Sequence, residues 1–144
     1  MKTSVRILQA LMWFVCAFHV GVGLALNLAP GSVDVIAKLY GAKVDQWSPQ
    51  FLYMMYPLGA FMLALGVVAA LTARDPVRFR PVIYIFAGLF TIRALHRVFL
   101  GSTTTEVFGI SPDRVMGNMV FFFALAGVLI IADLAANRAT GSAK

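Results

Sequence analysis

Four long apolar stretches constrain the fold of this chain more than any other feature of its sequence. They lie at about residues 7–28, 50–72, 82–100 and 113–134. A helix that crosses a bilayer needs about 20 mostly apolar residues, and each stretch has about that length. The sequence therefore predicts an all-α integral membrane protein whose four spans form one antiparallel four-helix bundle over residues 1–144.

The composition agrees with this fold class. Of the 144 residues, 60% are hydrophobic and 12% are charged, whereas a soluble domain has about 25% charged residues. The 12 basic and 6 acidic side chains cannot cover the surface of a soluble domain of this size. The composition therefore excludes an ordinary soluble domain, a disordered chain and a nucleic-acid-binding module.

Turn and capping residues mark the ends of the spans. Ser48-Pro49 and Ser111-Pro112 each place a hydroxyl before a first-turn proline, which is typical of a helix N-terminus. Pro81 opens the third span in the same way. Pro30-Gly31 and Gly101 are expected at the ends of the first and third spans, because proline and glycine commonly follow a helix.

The connection between the first two spans, residues 29–49, is expected to contain a short helix. Ser32 is expected to cap this helix, which would run from Val33 to Tyr40 and end at Gly41. It would lie on the outer membrane surface beside Trp47 and cover the bundle.

Small residues indicate how the spans pack, because helices in a membrane associate through close contacts. The first span has Ala17, Gly21 and Ala25 at intervals of four, and the second has Gly59 and Gly66. This spacing predicts tight antiparallel contacts between neighbouring spans.

The distribution of basic residues predicts the orientation of the bundle. Seven of them lie before the first span, in the loop after the second or after the fourth: Lys2, Arg6, Arg74, Arg78, Arg80, Arg138 and Lys144. The opposite loops hold only Lys38, Lys43 and Arg114 as basic residues. Since cytoplasmic loops are enriched in basic residues, both termini are expected in the cytoplasm.

Three basic side chains interrupt the third span and are the strongest candidates for a functional site. Arg93, His96 and Arg97 lie at positions i, i+3 and i+4, so a helix presents them on one side. A charged side chain near the bilayer centre costs up to about 2.5–3.5 kcal/mol when it faces lipid. Arg93 is therefore expected to face the interior of the bundle.

Side chains of the other spans are expected to join this cluster. His19 in the first span lies at nearly the depth of Arg93, and Tyr56 and Asn118 lie at similar depths in the second and fourth spans. The sequence thus predicts one polar, ligand-binding pocket in the outer half of the bundle. The cytoplasmic half is expected to be almost purely apolar.

Three interpretations of this pocket are open. In a structural one, Arg93 and Arg97 form ion pairs with Glu106 or Asp113, which lie just above them, and His19 forms a hydrogen bond with a Tyr or Asn side chain. In a functional one, the arginines bind a lipid headgroup, a quinone or a small anion, because an intramembrane cation is by default a candidate functional group. A haem held between the two histidines is a third interpretation.

Other signals for catalysis are absent from the sequence. The chain has no Gly-rich phosphate loop, no nucleophile motif and no zinc signature. Cys16 is the single cysteine, which excludes an intramolecular disulfide, and it is expected to fill apolar space. Asp133, at the cytoplasmic end of the fourth span, is expected to meet the basic loop after the second span.

Two short motifs give the chain a resemblance to a group of small membrane proteins. The first is a membrane-embedded histidine followed by glycines, His19-Val20-Gly21-Val22-Gly23. The second consists of Arg93, Arg97 and Gly101 before a short Ser/Thr loop. In this layout the chain resembles the four-span bacterial proteins described as DoxX-like and BphX-like. The resemblance implies the four-helix fold, a location in a bacterial-type cytoplasmic (inner) membrane and a connection to a quinone or another hydrophobic ligand. It carries over no catalytic residue.

These features favour a non-catalytic accessory or ligand-binding membrane protein. The alternatives are a quinone-linked or haem-binding electron-transfer subunit and an oligomeric small anion channel or transporter. The expected partners are the bilayer, a lipid, quinone or small-anion ligand, and further copies of the chain or a larger membrane complex.

Overall fold

The computed structural model describes residues 3–29 and 31–141, which form six helices and no strand. The helices are α1 (Thr3–Leu28), α2 (Ser32–Leu39), α3 (Pro49–Arg74), α4 (Arg80–Phe99), α5 (Gly101–Phe108) and α6 (Pro112–Gly141). Four of them, α1, α3, α4 and α6, are long and apolar enough to cross a membrane. The predicted all-α, four-span bundle is thereby confirmed, and the chain is a multi-pass membrane protein.

The four long helices pack as two pairs. α1 packs along α3, α4 packs along α6, and contacts between α1 and α6 join the two pairs. α3 and α4 follow one another in the chain but contact each other little. The bundle therefore has the order α3, α1, α6, α4, and its weakest side is the one between α3 and α4.

One end of the bundle, which we call the capped end, carries α2, α5 and the connection of residues 40–48. The backbone N–H of Lys43 donates to the carbonyl oxygen of Phe108 at 2.8 Å and links the two short helices. The Trp47 indole donates to the Asp34 carboxylate and holds the connection against α2. The opposite end, the terminal end, carries the start of α1, the turn between α3 and α4, and the end of α6.

Most predicted helix boundaries agree with the structure. The Ser48 hydroxyl accepts a hydrogen bond from the Phe51 N–H at 3.1 Å, so Ser48 caps α3 as predicted. Gly41 ends α2 in the left-handed region, with φ of 89°. Its N–H donates to the carbonyl of Lys38, while that of Ala42 donates to the carbonyl of Ala37. This is the double hydrogen bond of a Schellman motif.

The predicted role of Ser32 is wrong. Gly31, with φ of 87°, precedes α2, and Ser32 is the first residue of the helix. The Ser32 hydroxyl donates to the carbonyl oxygen of Ala25 at 2.7 Å, so it ties α2 to the end of α1 and caps nothing. Pro30, predicted to follow the first span, lies outside the described residues.

The Ser/Thr segment after Gly101 forms the helix α5, where the sequence predicted a loop. The hydroxyls of Thr104 and Thr105 donate to the carbonyl oxygens four residues earlier, at 2.7 and 3.1 Å. Their polar groups are thus satisfied within the helix itself. α5 ends at Gly109, which has φ of 62°.

α1 and α3 approach most closely at two glycines. A Cβ atom on Gly23 would lie 2.8 Å from the carbonyl oxygen of Gly59 and 2.9 Å from the backbone nitrogen of Leu63. Gly21, which the sequence placed in the contact stripe, has nothing within 4 Å of its Cβ position. The small residues predicted to make close contacts in α3 do so. In α1 the contact glycine is Gly23, two residues after the predicted Gly21.

The terminal half of the bundle has a closed core. Leu8, Met12, Phe86 and Leu129 are all fully buried there, and Cys16 is buried as predicted. The larger cavities between the described residues lie in the capped half.

An ion pair joins α4 and α6 in this terminal half. Asp133, which is 1% exposed, accepts hydrogen bonds from Nε and Nη2 of Arg80 at 2.9 and 2.7 Å and from the Tyr84 hydroxyl at 2.9 Å. The predicted contact of Asp133 with the basic loop is thereby confirmed.

Candidate functional site

A cavity of about 460 Å³ lies in the capped half, between α3 and α4 and covered by α2. We call it the α3/α4 cavity. Its volume falls in the range typical of small-molecule sites. Most of its wall is apolar, with Leu26, Ile36, Phe51, Met62 and Phe108 among the lining residues. The polar side chains in the wall are Tyr40, Trp47, Arg93 and Arg97.

Arg93 is held on two sides. Its Nη2 donates to the hydroxyl of Tyr40 at 3.2 Å, and its Cζ lies 4.6 Å from the ring centroid of Phe122. The second contact has the geometry of a cation–π interaction, which stabilises a guanidinium over the negative face of an aromatic ring. Arg93 therefore has a fixed position at the meeting point of α2, α4 and α6.

Arg97 lies one turn further along α4 and lines the same cavity. It also lines a second cavity of about 290 Å³ between α4, α5 and α6. Within residues 3–29 and 31–141, its guanidinium has no hydrogen-bond or ion-pair partner. All five of its N–H donors therefore remain available to a ligand.

The structural interpretation of these arginines is wrong. Glu106 and Asp113 are both exposed, and neither forms an ion pair with Arg93 or Arg97 in the described part of the chain. α5 explains the failure for Glu106, because this residue belongs to a helix and not to a loop that can fold over the arginines. The wall of the α3/α4 cavity consequently carries two cations and no carboxylate.

His19 is not part of this cavity. Its side chain is fully buried, and its Nδ1 lies 2.7 Å from the carbonyl oxygen of Val15, which accepts the Nδ1–H hydrogen bond. The rings of Phe86 and Phe90 lie 5.7 and 6.2 Å from the imidazole. Nε2 is buried and has no partner among the described residues. His19 thus belongs to the aromatic core behind the cavity.

The other three predicted site residues also lie outside the cavity wall. His96 and Tyr56 are exposed, and Asn118 is half-buried with its Nδ2 unpartnered among the described residues. For His96 the cause is helix geometry, because consecutive residues are about 100° apart and His96 precedes Arg97 directly. The cavity brings together only Arg93 and Arg97 of the six predicted residues.

The two histidines do not fit a haem. One imidazole is fully buried among phenylalanine rings with Nδ1 already hydrogen-bonded, whereas the other is exposed on α4. An axial pair requires both imidazoles to face one metal from opposite sides. The described residues also contain no group of three or more His, Cys, Asp or Glu side chains that could hold a metal ion.

Two residues of the site escaped the sequence prediction. Tyr40 was expected as the last residue of the short helix, but its hydrogen bond to Arg93 depends on how α2 folds over the bundle. Phe122 belongs to a run of three phenylalanines, of which only this middle one is buried. The spacing of aromatic residues along α6 contains no signal that distinguishes the ring beneath a cation from its neighbours.

No protein-family model, curated protein or solved structure matches this chain.

Proposed function

We propose that this chain is a non-catalytic membrane protein that binds a hydrophobic molecule with an anionic or carbonyl-bearing group in the α3/α4 cavity. One observation carries the proposal. Arg93 and Arg97 line a largely apolar cavity, and no carboxylate in the described part of the chain pairs with either. Both guanidinium groups are half-buried, and a cation in largely apolar surroundings is costly unless it is paired, so a ligand that supplies acceptors is stabilised there.

The geometry suits an acidic or carbonyl group on the ligand. Tyr40 and Phe122 position Arg93 and leave most of its N–H donors free, while Arg97 has all of them free. Guanidinium groups bind carboxylate and phosphate through paired, charge-assisted hydrogen bonds. The same donors bond a quinone carbonyl, so a neutral quinone is the second class of ligand.

The shape of the cavity favours binding over conduction through a single chain. Its wall reaches only to Leu65 and Leu89, which lie near the middle of α3 and α4. Beyond them, Leu8, Met12 and Phe86 fill the terminal half. An anion path would therefore require an interface between chains.

The proposal includes an orientation in a bacterial-type cytoplasmic (inner) membrane. Arg6, Arg74, Arg78 and Arg80 lie at the terminal end, and basic residues are enriched on the cytoplasmic side. Both termini would then be cytoplasmic, and the α3/α4 cavity would lie in the outer half of the membrane. The four-helix bundle is also the fold expected of a DoxX-like or BphX-like protein, and we propose membership of that group on this ground and on the two motifs.

Extraction of the purified protein tests the proposal. The wild type is compared with the double variant Arg93→Gln/Arg97→Gln and with His96→Gln, a control on the same helix outside the cavity wall. Organic extraction and mass spectrometry are expected to recover an amphiphile with an acidic or carbonyl group from the wild type and the control. The double variant is expected to retain about tenfold less, a loss equivalent to about 1.4 kcal/mol. Equal retention by all three proteins overturns the proposal.

A further inference from the structure

We infer that the ligand of the α3/α4 cavity is an anionic lipid of the surrounding bilayer, which enters sideways between α3 and α4. This inference rests on the proposed function and adds to it the chemical class and the route of entry. Three features carry it: the side of the cavity that is open, the side that is covered, and the charge of its wall.

The open side faces the hydrocarbon. α3 and α4 are the neighbours in the bundle with the least mutual packing. Leu58 and Phe61 of α3 line the cavity and are at the same time 43% and 69% exposed. Both side chains belong to a helix that spans the membrane, so the wall of the cavity continues into the surface that contacts lipid. A hydrocarbon chain can pass along this surface without crossing water.

The capped end covers the side that faces water. The Trp47 ring stacks on Phe51 with centroids 4.7 Å apart, and its indole N–H donates to Asp34. The backbone hydrogen bond from Lys43 to Phe108 closes the cover on the side of α5. A ligand dissolved in water meets this cover, whereas a ligand dissolved in the membrane does not.

The charge of the wall selects an anionic headgroup. Arg93 and Arg97 contribute two positive charges, and no carboxylate in the described residues balances them. A phosphate group neutralises these charges and accepts several guanidinium N–H donors at once. A neutral quinone leaves both charges in place, and the cationic choline of a zwitterionic lipid finds no carboxylate in the wall. The cavity therefore favours an anionic phospholipid over both.

The apolar part of the wall suits the acyl chain of such a lipid. Met62 and Leu65 of α3 and Leu89 of α4 extend the cavity from the two arginines towards the middle of the bundle. With its phosphate at Arg97, the lipid directs its chain between α3 and α4, where burial of apolar surface stabilises it.

Photolabelling in vesicles tests the inference with the full chain. Phosphatidic acid and phosphatidylcholine, each with a diazirine in the same acyl chain, are present at equal mole fractions in separate samples. After illumination, mass spectrometry locates the label. Phosphatidic acid is expected to label the α3 and α4 peptides containing Met62, Leu65 and Leu89 about tenfold more than phosphatidylcholine does, equivalent to about 1.4 kcal/mol. Equal labelling by the two lipids overturns the inference, and this comparison requires no variant.

Two further arms identify the source of the anion and the residue that binds it. Arg97→Gln is expected to reduce labelling by phosphatidic acid to the level of phosphatidylcholine, whereas His96→Gln is expected to leave it unchanged. Excess inorganic phosphate in the buffer is expected to leave the labelling unchanged. Displacement of the label by free phosphate shows a site for soluble anions and overturns the inference.

The outcomes also separate this inference from the proposed function. If extraction recovers a quinone that depends on the two arginines while the lipids label equally, the proposed function stands and the anionic-lipid inference fails. If no retained molecule depends on the arginines, both fail.

Discussion

Arg93 of α4 donates a hydrogen bond to the hydroxyl of Tyr40, 3.2 Å away, and thereby joins the wall of the α3/α4 cavity to its cover. The ring of Phe122 supports the same guanidinium from α6. The guanidinium of α4 therefore contacts the residue that ends α2 and a ring of α6, although the three helices are distant in sequence. α2 is therefore attached in part through a residue that a bound ligand would also contact.

Replacement of Tyr40 by phenylalanine tests this connection. Tyr40→Phe keeps the ring and removes the hydroxyl, which is expected to weaken the attachment of α2 by about 0.5–1.5 kcal/mol. Hydrogen–deuterium exchange of residues 33–40 is expected to become faster by about two- to tenfold. Tyr53→Phe, at an exposed tyrosine of α3, is the matched control and is expected to leave this exchange unchanged. Unchanged exchange in Tyr40→Phe would contradict the role of the hydrogen bond.

The contact between α1 and α3 is expected to tolerate no side chain at Gly23. An added Cβ would lie 2.8 Å from the Gly59 carbonyl oxygen, so the helices must move apart. Gly23→Ala is expected to lower the free energy of unfolding by about 1–3 kcal/mol relative to Gly21→Ala. Both substitutions raise helix propensity equally, so their difference isolates the packing. Unfolding titrations in detergent measure it, and equal stability of the two variants would refute the close approach.

The fold could be predicted because the membrane restricts what an apolar stretch can do. Spans of about 20 apolar residues have few alternatives to a helix, and the Ser48 cap and the Gly41 helix end followed from local chemistry alone. Helix α5 could not be predicted in this way. Its threonines favour turns in water, and here their hydroxyls bond to the helix backbone.

The candidate site could be predicted only in part. The cost of charge in hydrocarbon points to Arg93 and Arg97, and both line the α3/α4 cavity. Depth in the membrane predicted His19 beside them, but depth contains no information about which way a side chain turns about the helix axis. The side chain of His19 turns into the core formed with Phe86 and Phe90. This direction follows from the place of α1 in the bundle, where this side of the helix faces the rings of α4.

Removal of either member of the Arg80–Asp133 ion pair is expected to destabilise the protein, but by unequal amounts. Arg80→Gln leaves the Asp133 carboxylate, 1% exposed, without its cation. The carboxylate keeps its hydrogen bond from the Tyr84 hydroxyl, so the variant is expected to lower the free energy of unfolding by about 1–3 kcal/mol. Asp133→Asn leaves the Arg80 side chain, which is 30% exposed and can turn to water, so it is expected to cost less. Thermal unfolding of the two variants, with exposed Arg78→Gln as a control, checks the order. A larger loss in Asp133→Asn would contradict it.

His19 is expected to be dispensable for ligand binding. His19→Leu removes a buried Nε2 that has no partner among the described residues and replaces it with an apolar group of similar size. The variant also loses the Nδ1–H hydrogen bond to the Val15 carbonyl oxygen, which is worth about 0.5–1.5 kcal/mol. Because the burial of the unpartnered Nε2 is itself costly, the two effects oppose each other, and the thermal unfolding temperature is expected to change little. The retained ligand is expected to remain. Loss of the ligand from a folded His19→Leu variant would contradict this prediction and would show that the imidazole contributes to binding.

Native mass spectrometry of the intact protein tests the central claim most directly. The wild type and His96→Gln are expected to carry the same additional mass of a bound amphiphile, because both keep the two arginines that line the cavity. Arg93→Gln/Arg97→Gln is expected to appear mainly at the mass of the bare chain, with about tenfold less of the ligand-bound mass. A folded double variant that carries the same additional mass as the wild type would contradict the claim that these two arginines form the binding site.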